Sequence, residues 1–235
     1  MTQSPYDQKG YAEAYDRIYQ TSDINILHHE FEVNLVSSFL PTHQKTWCDV
    51  ACGTGRLLNS VPINHGLHRT GIDRSENMLN FARSHNQTHA EYLHADVLHV
   101  DFEALSYDLV THFFYGYLHQ QNLADVMRFI DVCCRLVDTT GDLLLGVCEP
   151  VGLYDRISWR NKLIYGGTLD VDAIIWSFTE PWSGLTYEHC IAPHPHKIIA
   201  QLEPFFETVE IKKYPTSSAS GSWDRKLLVC RGKLP

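Results

Sequence analysis

Two glycines and two acids in the first half of the chain have the spacing of a ligand site: Gly53-Thr54-Gly55, Asp73 and Asp96. A glycine-rich turn between a strand and a helix lets backbone approach a ligand closely, because glycine has no side chain and tolerates unusual backbone angles. A dinucleotide fingerprint requires a third small residue three places after Gly55; Leu58 stands there, which argues against NAD or FAD. The phosphate-loop lysine is absent as well. Asp73 falls where a second strand should end, so its carboxylate can accept hydrogen bonds from both hydroxyls of a ribose. Asp96 follows the third strand and can accept from an exocyclic amine such as that of adenine. Each has a plainer alternative: the glycine pair as a simple turn, and the two acids as helix N-caps.

A second group could move protons. His112, His119 and Glu149 fall near the carboxyl ends of the fourth and fifth strands, with Tyr115 and Tyr117 as pocket walls or hydrogen-bond donors. A histidine beside a cleft suits general base work because its unperturbed pKa is about 6.5. The chain holds 14 histidines, so most are structural. His189, His194 and His196 follow a hairpin pattern, but Pro193 and Pro195 suit a surface loop, and no metal site is expected from them.

These residues need elements to hold them. Tyr11, Tyr15 and Tyr19 recur every four residues, as do Phe31, Leu35 and Phe39 before Pro41, which predicts two lead-in helices over residues 1–45. From Thr46 short apolar runs alternate with helical stretches: Trp47-Cys48-Asp49-Val50, Arg69-Thr70-Gly71-Ile72, Ala90-Glu91-Tyr92-Leu93, Tyr107-Asp108-Leu109-Val110-Thr111 and Asp142-Leu143-Leu144-Leu145-Gly146-Val147. That alternation predicts a parallel sheet covered on both faces, with ligands beyond the carboxyl ends of its strands. Residues 151–192 are rich in Trp and Tyr, including Tyr154, Trp159, Tyr165 and Trp176. Within them Ala173–Glu180 and Leu185–Ile191 read as a hairpin. His196–Phe206 reads as a last helix, and Glu207–Tyr214 and Arg225–Cys230 as final strands joined by the Ser/Gly-rich Thr216–Ser222.

At 235 residues the chain suits one domain, with residues 1–45 as N-terminal helices, 46–150 as a binding core, 151–192 as an insert and 193–235 as the closing helix and strands. No stretch approaches a membrane span, and residues 1–9 lack the apolar core of a secretory signal, so a soluble cytoplasmic protein is expected. Seven cysteines without a CxxC pair fit free thiols. With 19 Lys and Arg against 28 Asp and Glu, the net charge of −9 disfavours nucleic acid and favours a small-molecule partner.

Asp49-Val50-Ala51-Cys52-Gly53-Thr54-Gly55, Gly71-Ile72-Asp73, Ala95-Asp96-Val97 and Tyr107-Asp108-Leu109-Val110 resemble, in order and spacing, the successive motifs of class I S-adenosylmethionine-dependent methyltransferases. Ala51 departs from the commonest motif, which has glycine there. The resemblance implies a doubly wound, mostly parallel seven-stranded α/β sheet, Rossmann-like, with N-terminal lid helices and a small hairpin and aromatic cap. It implies S-adenosyl-L-methionine as donor, its amino-acid part at Asp49, Ala51, Gly53 and Gly55, its ribose at Asp73, and its adenine at Asp96 with Val97. Arg74 and Met78 would line the adenosine pocket, Phe113 would flank the donor, and Tyr11 and Tyr19 would close over it, unless the tyrosine stripe is only a packed helix face. The expected reaction is methyl transfer to O or N of a small acceptor, aromatic or heterocyclic ones included, with His119, His112 and Tyr115 as catalytic candidates. The alternatives are a nucleoside-binding relative without turnover, and a carbon methyltransferase or cyclase on the same scaffold. The insert would cap the acceptor, or else form the hairpin's own core or a homodimer contact.

Overall fold

The computed structural model describes residues 5–40, 45–62, 66–99, 105–148, 172–180, 182–215 and 225–235. In chain order the elements are α1 (Tyr11–Thr21), α2 (Asp23–Phe39), β1 (Lys45–Val50), α3 (Arg56–Ser60), β2 (Leu67–Asp73), α4 (Glu76–Ser84), β3 (Glu91–His94), β4 (Tyr107–His112), α5 (Leu123–Arg135), β5 (Val137–Val147), β6 (Ala173–Thr179), β7 (Thr186–Pro193), α6 (Pro195–Leu202), β8 (Phe206–Lys213) and β9 (Lys226–Lys233). Short helical turns add Pro5–Asp7 before α1 and Gly116–His119 before α5.

Seven strands form one sheet in the order β3-β2-β1-β4-β5-β9-β8, and β6 and β7 pair separately. The first five run parallel, while β9 is antiparallel to both β5 and β8. The order turns back on itself between β1 and β4, which is where an open α/β sheet presents a crevice at its strand ends. Parallel strands covered on both faces read as continuous apolar runs. Leu109 and Val110 on β4 and Leu143, Leu144 and Leu145 on β5 are accordingly at most 1% exposed. Each such side chain contributes about 1.5–3 kcal/mol by leaving water.

Local signals set the helices. Ser75 caps α4 by accepting from the Met78 amide, and Met78, Leu79 and Ala82 form its buried stripe. Asn122 does the same for α5 through the Asp125 amide. The two tyrosine- and phenylalanine-bearing helices form as the periodicity predicts.

Three boundaries differ from the sequence reading. β5 starts at Val137, ahead of the apolar run, because Val137 pairs with Tyr107 before the register shifts. The last helix stops at Leu202, where the Phe205 amide closes a turn onto the Leu202 carbonyl, and Phe206 is taken into β8. No helix begins directly after β3; residues 95–99 instead form a turn around Asp96. Residues 149–171, with Glu149, Tyr154, Trp159 and Tyr165, and the loop Thr216–Ser222 lie outside the described residues. All seven cysteines are free and buried. No helix among the described residues is long and apolar enough to cross a membrane.

Candidate functional site

The carboxyl ends of β1 to β4 open onto a cleft of about 690 Å³, its mouth included. Ala51 and Gly53 come from the turn after β1, Asp73 and Arg74 from the end of β2, Met78 from α4, Asp96 and Val97 from the turn after β3, and Phe113 and Phe114 from the turn after β4. Eight of the residues expected to hold a donor thus line one space: Ala51, Gly53, Asp73, Arg74, Met78, Asp96, Val97 and Phe113.

The two acids behave differently. Asp73 Oδ2 accepts from the Gly53 amide at 2.8 Å and Oδ1 from the Ser75 amide at 2.8 Å, so its carboxylate ties the glycine turn to the end of β2. Burial raises its pKa, against which those amides and Arg74 pull. Asp73 is not the cap of α4; Ser75 is. Each carboxylate oxygen carries two lone pairs, so Asp73 keeps accepting capacity toward the cleft. Asp96 Oδ1 takes the Leu98 amide at 3.0 Å, closing its own turn.

A nucleoside fits this lining chemically. A carboxylate fixed by two backbone amides stands beside Ile72, Met78, Val97 and Phe113, which offer apolar walls to a planar base. Among the described residues no lysine lines the cleft.

Of the histidines, His119 lines the cleft and His112 does not. His119 sits on the turn after β4, its Nε2 3.1 Å from the Tyr6 hydroxyl. Burial and the positive charge of Arg74 push its pKa down to about 4, so at neutral pH the ring is uncharged and can accept a proton. His112 is fully buried, its Nδ1 2.8 Å from the Val50 carbonyl oxygen, and it packs on Phe129 and Tyr117 behind Gly116. The reason is strand alternation: His112 is the last residue of β4 and points into the helix layer.

Four further expected residues lie elsewhere than in the lining of this cleft. Tyr11 is 5% exposed and bonds Glu180 and Tyr187 rather than facing the cleft. Tyr19 lies under the Arg56 guanidinium, 4.1 Å from ring centre to Cζ. Tyr115 has φ 58° and lies against Gly146, outside the cleft lining. Gly55, at φ 69°, opens α3 and packs against Tyr92, where any Cβ would fall 2.4 Å from the phenol oxygen.

Tyr15 and Tyr6 line the cleft in place of Tyr11 and Tyr19. The stripe of α1 was legible, but which of its rings faces inward depends on how α1 docks. The docking is set by a buried carboxylate. Glu180, 8% exposed, accepts from Tyr11 at 3.0 Å, Tyr187 at 3.2 Å and Ser183 at 2.6 Å, which joins α1 to the β6–β7 hairpin.

Asp49 and Arg56 line a smaller pocket beside the glycine turn with Tyr15 and Phe114. Asp49 accepts from Thr111 Oγ1 at 2.6 Å, which in turn accepts from Trp47 Nε1 at 2.9 Å, bracing β1 against β4. Arg56 pairs with the fully buried Glu32 at 2.7 Å and also contacts His29 Nδ1. Sequence reasoning passed over Tyr6, Phe114, Gly116, Gln120 and Arg56. The aromatic and glycine run Phe113-Phe114-Tyr115-Gly116-Tyr117 was the available signal for Phe114 and Gly116.

Comparison with known proteins gives concordant findings. A family model described as a methyltransferase domain matches residues 48–141. A ubiquinone biosynthesis O-methyltransferase from Coxiella burnetii is 30% identical over 98 residues, which are 40% of this chain and 40% of that protein. Well under two thirds of that relative is therefore covered. Among solved structures, the magnesium protoporphyrin IX methyltransferase of Synechocystis, with bound S-adenosylmethionine, has the same fold at a TM-score of 0.61 and 17% identity, covering 96% of this chain and 93% of that one. The N-methyltransferase NodS of Bradyrhizobium japonicum aligns at a TM-score of 0.57 and 17% identity over 89% of this chain and 98% of its own.

Proposed function

We propose that this chain, which carries a methyltransferase domain over residues 48–141 on the class I fold, transfers a methyl group from S-adenosylmethionine to O or N of a small planar acceptor. The observation that carries the reading is the convergence of Gly53, Asp73, Asp96 and Phe113, from four successive strand ends, on one cleft. The relatives named as O- and N-methyltransferases support a heteroatom acceptor.

Bound in the cleft, the donor supplies an electrophilic methyl group on its sulfonium. Asp73 holds the ribose hydroxyls, and Met78, Val97 and Phe113 take the base, with Asp96 as acceptor for its amine. The turn at Ala51 and Gly53 holds the amino-acid end, with Asp49 and Arg56 beside it. In-line displacement demands that the nucleophile be aligned at near contact and water excluded. Tyr6 and Tyr15 cover the cleft for that purpose, latched through the contact of Tyr11 with Glu180. His119, uncharged at neutral pH, accepts the proton from a hydroxyl acceptor, and Tyr6 orients its ring. An amine that arrives neutral needs no such base. Phe114 and Tyr15 offer ring faces to a planar acceptor, and the 151–192 insert is proposed as its cap.

Isothermal calorimetry with S-adenosylhomocysteine tests this directly. The intact chain is expected to bind, and Asp73→Ala to weaken binding about a hundredfold, as the loss of two hydrogen bonds to a charged group implies. No binding by the intact chain, or undiminished binding by the variant, sinks the reading.

A further inference from the structure

Arg225 has no part in the donor site just described, yet it stands at the same edge of the sheet. The next residue, Lys226, opens β9 and pairs with Val147 at the carboxyl end of β5. The Arg225 guanidinium carbon lies 4.5 Å from the centre of the Phe114 ring, and Phe114 walls both the cleft and the smaller pocket. Phe114 and Tyr115 have φ of 62° and 58°, two consecutive bulky residues in left-handed backbone, a conformation that costs energy and that clusters at functional sites.

Among the described residues the charges of this corner do not pair off. Arg56 has its carboxylate in Glu32, and Glu32 also accepts from the Tyr214 hydroxyl at 2.9 Å. Among the described residues Arg225 makes no ion pair and no side-chain hydrogen bond. The groups that act on it electrostatically are Tyr115, Tyr19, Glu32 and Tyr214, and it acts on Tyr15 and His28 in turn. Burial holds the phenols protonated, and His28 is pushed down to about 4 and is uncharged at neutral pH. Among the described residues Glu32 is thus the carboxylate that acts on both guanidinium groups, while Asp49 acts with Arg56 and holds its proton up to about 7. A ring face compensates part of a desolvated cation, but a planar fork with its donors unused is a receptor for an anion.

We propose that Arg225 anchors a carboxylate on the methyl acceptor, a planar acid whose ring lies against Phe114 with its nucleophile directed into the cleft. This rests on the methyltransferase reading and narrows it to aromatic or conjugated acids. The rival claimant is the donor's own carboxylate, for which Arg56 lies beside the glycine turn.

The test uses the full chain saturated with S-adenosylhomocysteine and compares thermal unfolding with benzoate and cinnamate against benzamide and cinnamamide. The acids are expected to raise the melting temperature and the amides not to. Arg225→Ala should weaken the acid response about tenfold or more, Arg225→Lys should retain part of it, and S-adenosylhomocysteine affinity should stay within about twofold. The acid and amide comparison on the unaltered chain needs no variant to fold. Equal responses to acid and amide, no response to either acid, or an acid response that survives Arg225→Ala overturns the proposal. Loss of S-adenosylhomocysteine binding in Arg225→Ala also overturns it, by assigning the residue to the donor. Failure of the unaltered chain to bind S-adenosylhomocysteine sinks the underlying reading instead.

Discussion

At Asp49 burial opposes ionisation. The carboxyl is 5% exposed, and desolvation pushes its pKa up to about 7 against the pull of the Thr111 hydroxyl and Arg56. In the unfolded chain the same group titrates near about 3.9. Between those values the folded state holds a proton that the unfolded state has lost, so this residue's contribution to stability declines as pH rises from about 4 to about 7 and is level above. Asp49→Asn keeps an acceptor for Thr111 and cannot ionise. Its denaturation midpoint should match that of the unaltered chain near pH 4, with the variant ahead by roughly 2–4 kcal/mol at pH 8. A difference that does not vary with pH would show that Asp49 is not held protonated. The sequence marked Asp49 as the acid opening the glycine motif; its raised proton affinity comes from burial in the folded chain, which outweighs the opposing pull of Thr111 on β4 and Arg56 on α3.

The glycine turn is an element whose two glycines have separate duties. Gly53 lines the cleft at φ 55°, and its amide is bound by Asp73. Gly55 lets β3 approach: a Cβ there would meet Tyr92 at 2.4 Å from the phenol oxygen and 3.0 Å from Cζ. Gly55→Ala should therefore cost about 2–3 kcal/mol in urea unfolding, from left-handed backbone strain together with that overlap. Adding Tyr92→Phe removes the nearest atom and should recover part of the loss. If Gly55→Ala unfolds like the unaltered chain, or Tyr92→Phe restores nothing, the packing role is wrong. The motif spacing made both glycines look like ligand contacts, because the neighbour of Gly55 comes from a strand 37 positions on, Tyr92. No local pattern carries such a contact.

On the scale of the whole molecule, donor binding and folding are linked. Four strand ends and α1 meet at the cleft, so a ligand there binds the folded chain and not the unfolded one. S-adenosylhomocysteine at a hundredfold excess over its Kd should add about 2.7 kcal/mol and raise Tm by about 5–10 °C for a chain of this length. A melting temperature unmoved at that concentration would refute the cleft as the donor site. By itself the sequence determined the alternating strand and helix order, the two leading helices, the hairpin, and the four strand-end motifs that converge on the cleft. Those are written in apolar periodicity, glycine position and spacing, which act through neighbours along the chain. Only the tertiary structure decided that His119 and not His112 faces the cleft, that Tyr6 and Tyr15 line it rather than Tyr11 and Tyr19, and that Arg225 comes to the Phe114 ring. Each of those outcomes turns on which elements pack side by side, and a residue's type and its near neighbours in the chain do not encode the side chains that reach it from a distant strand or helix.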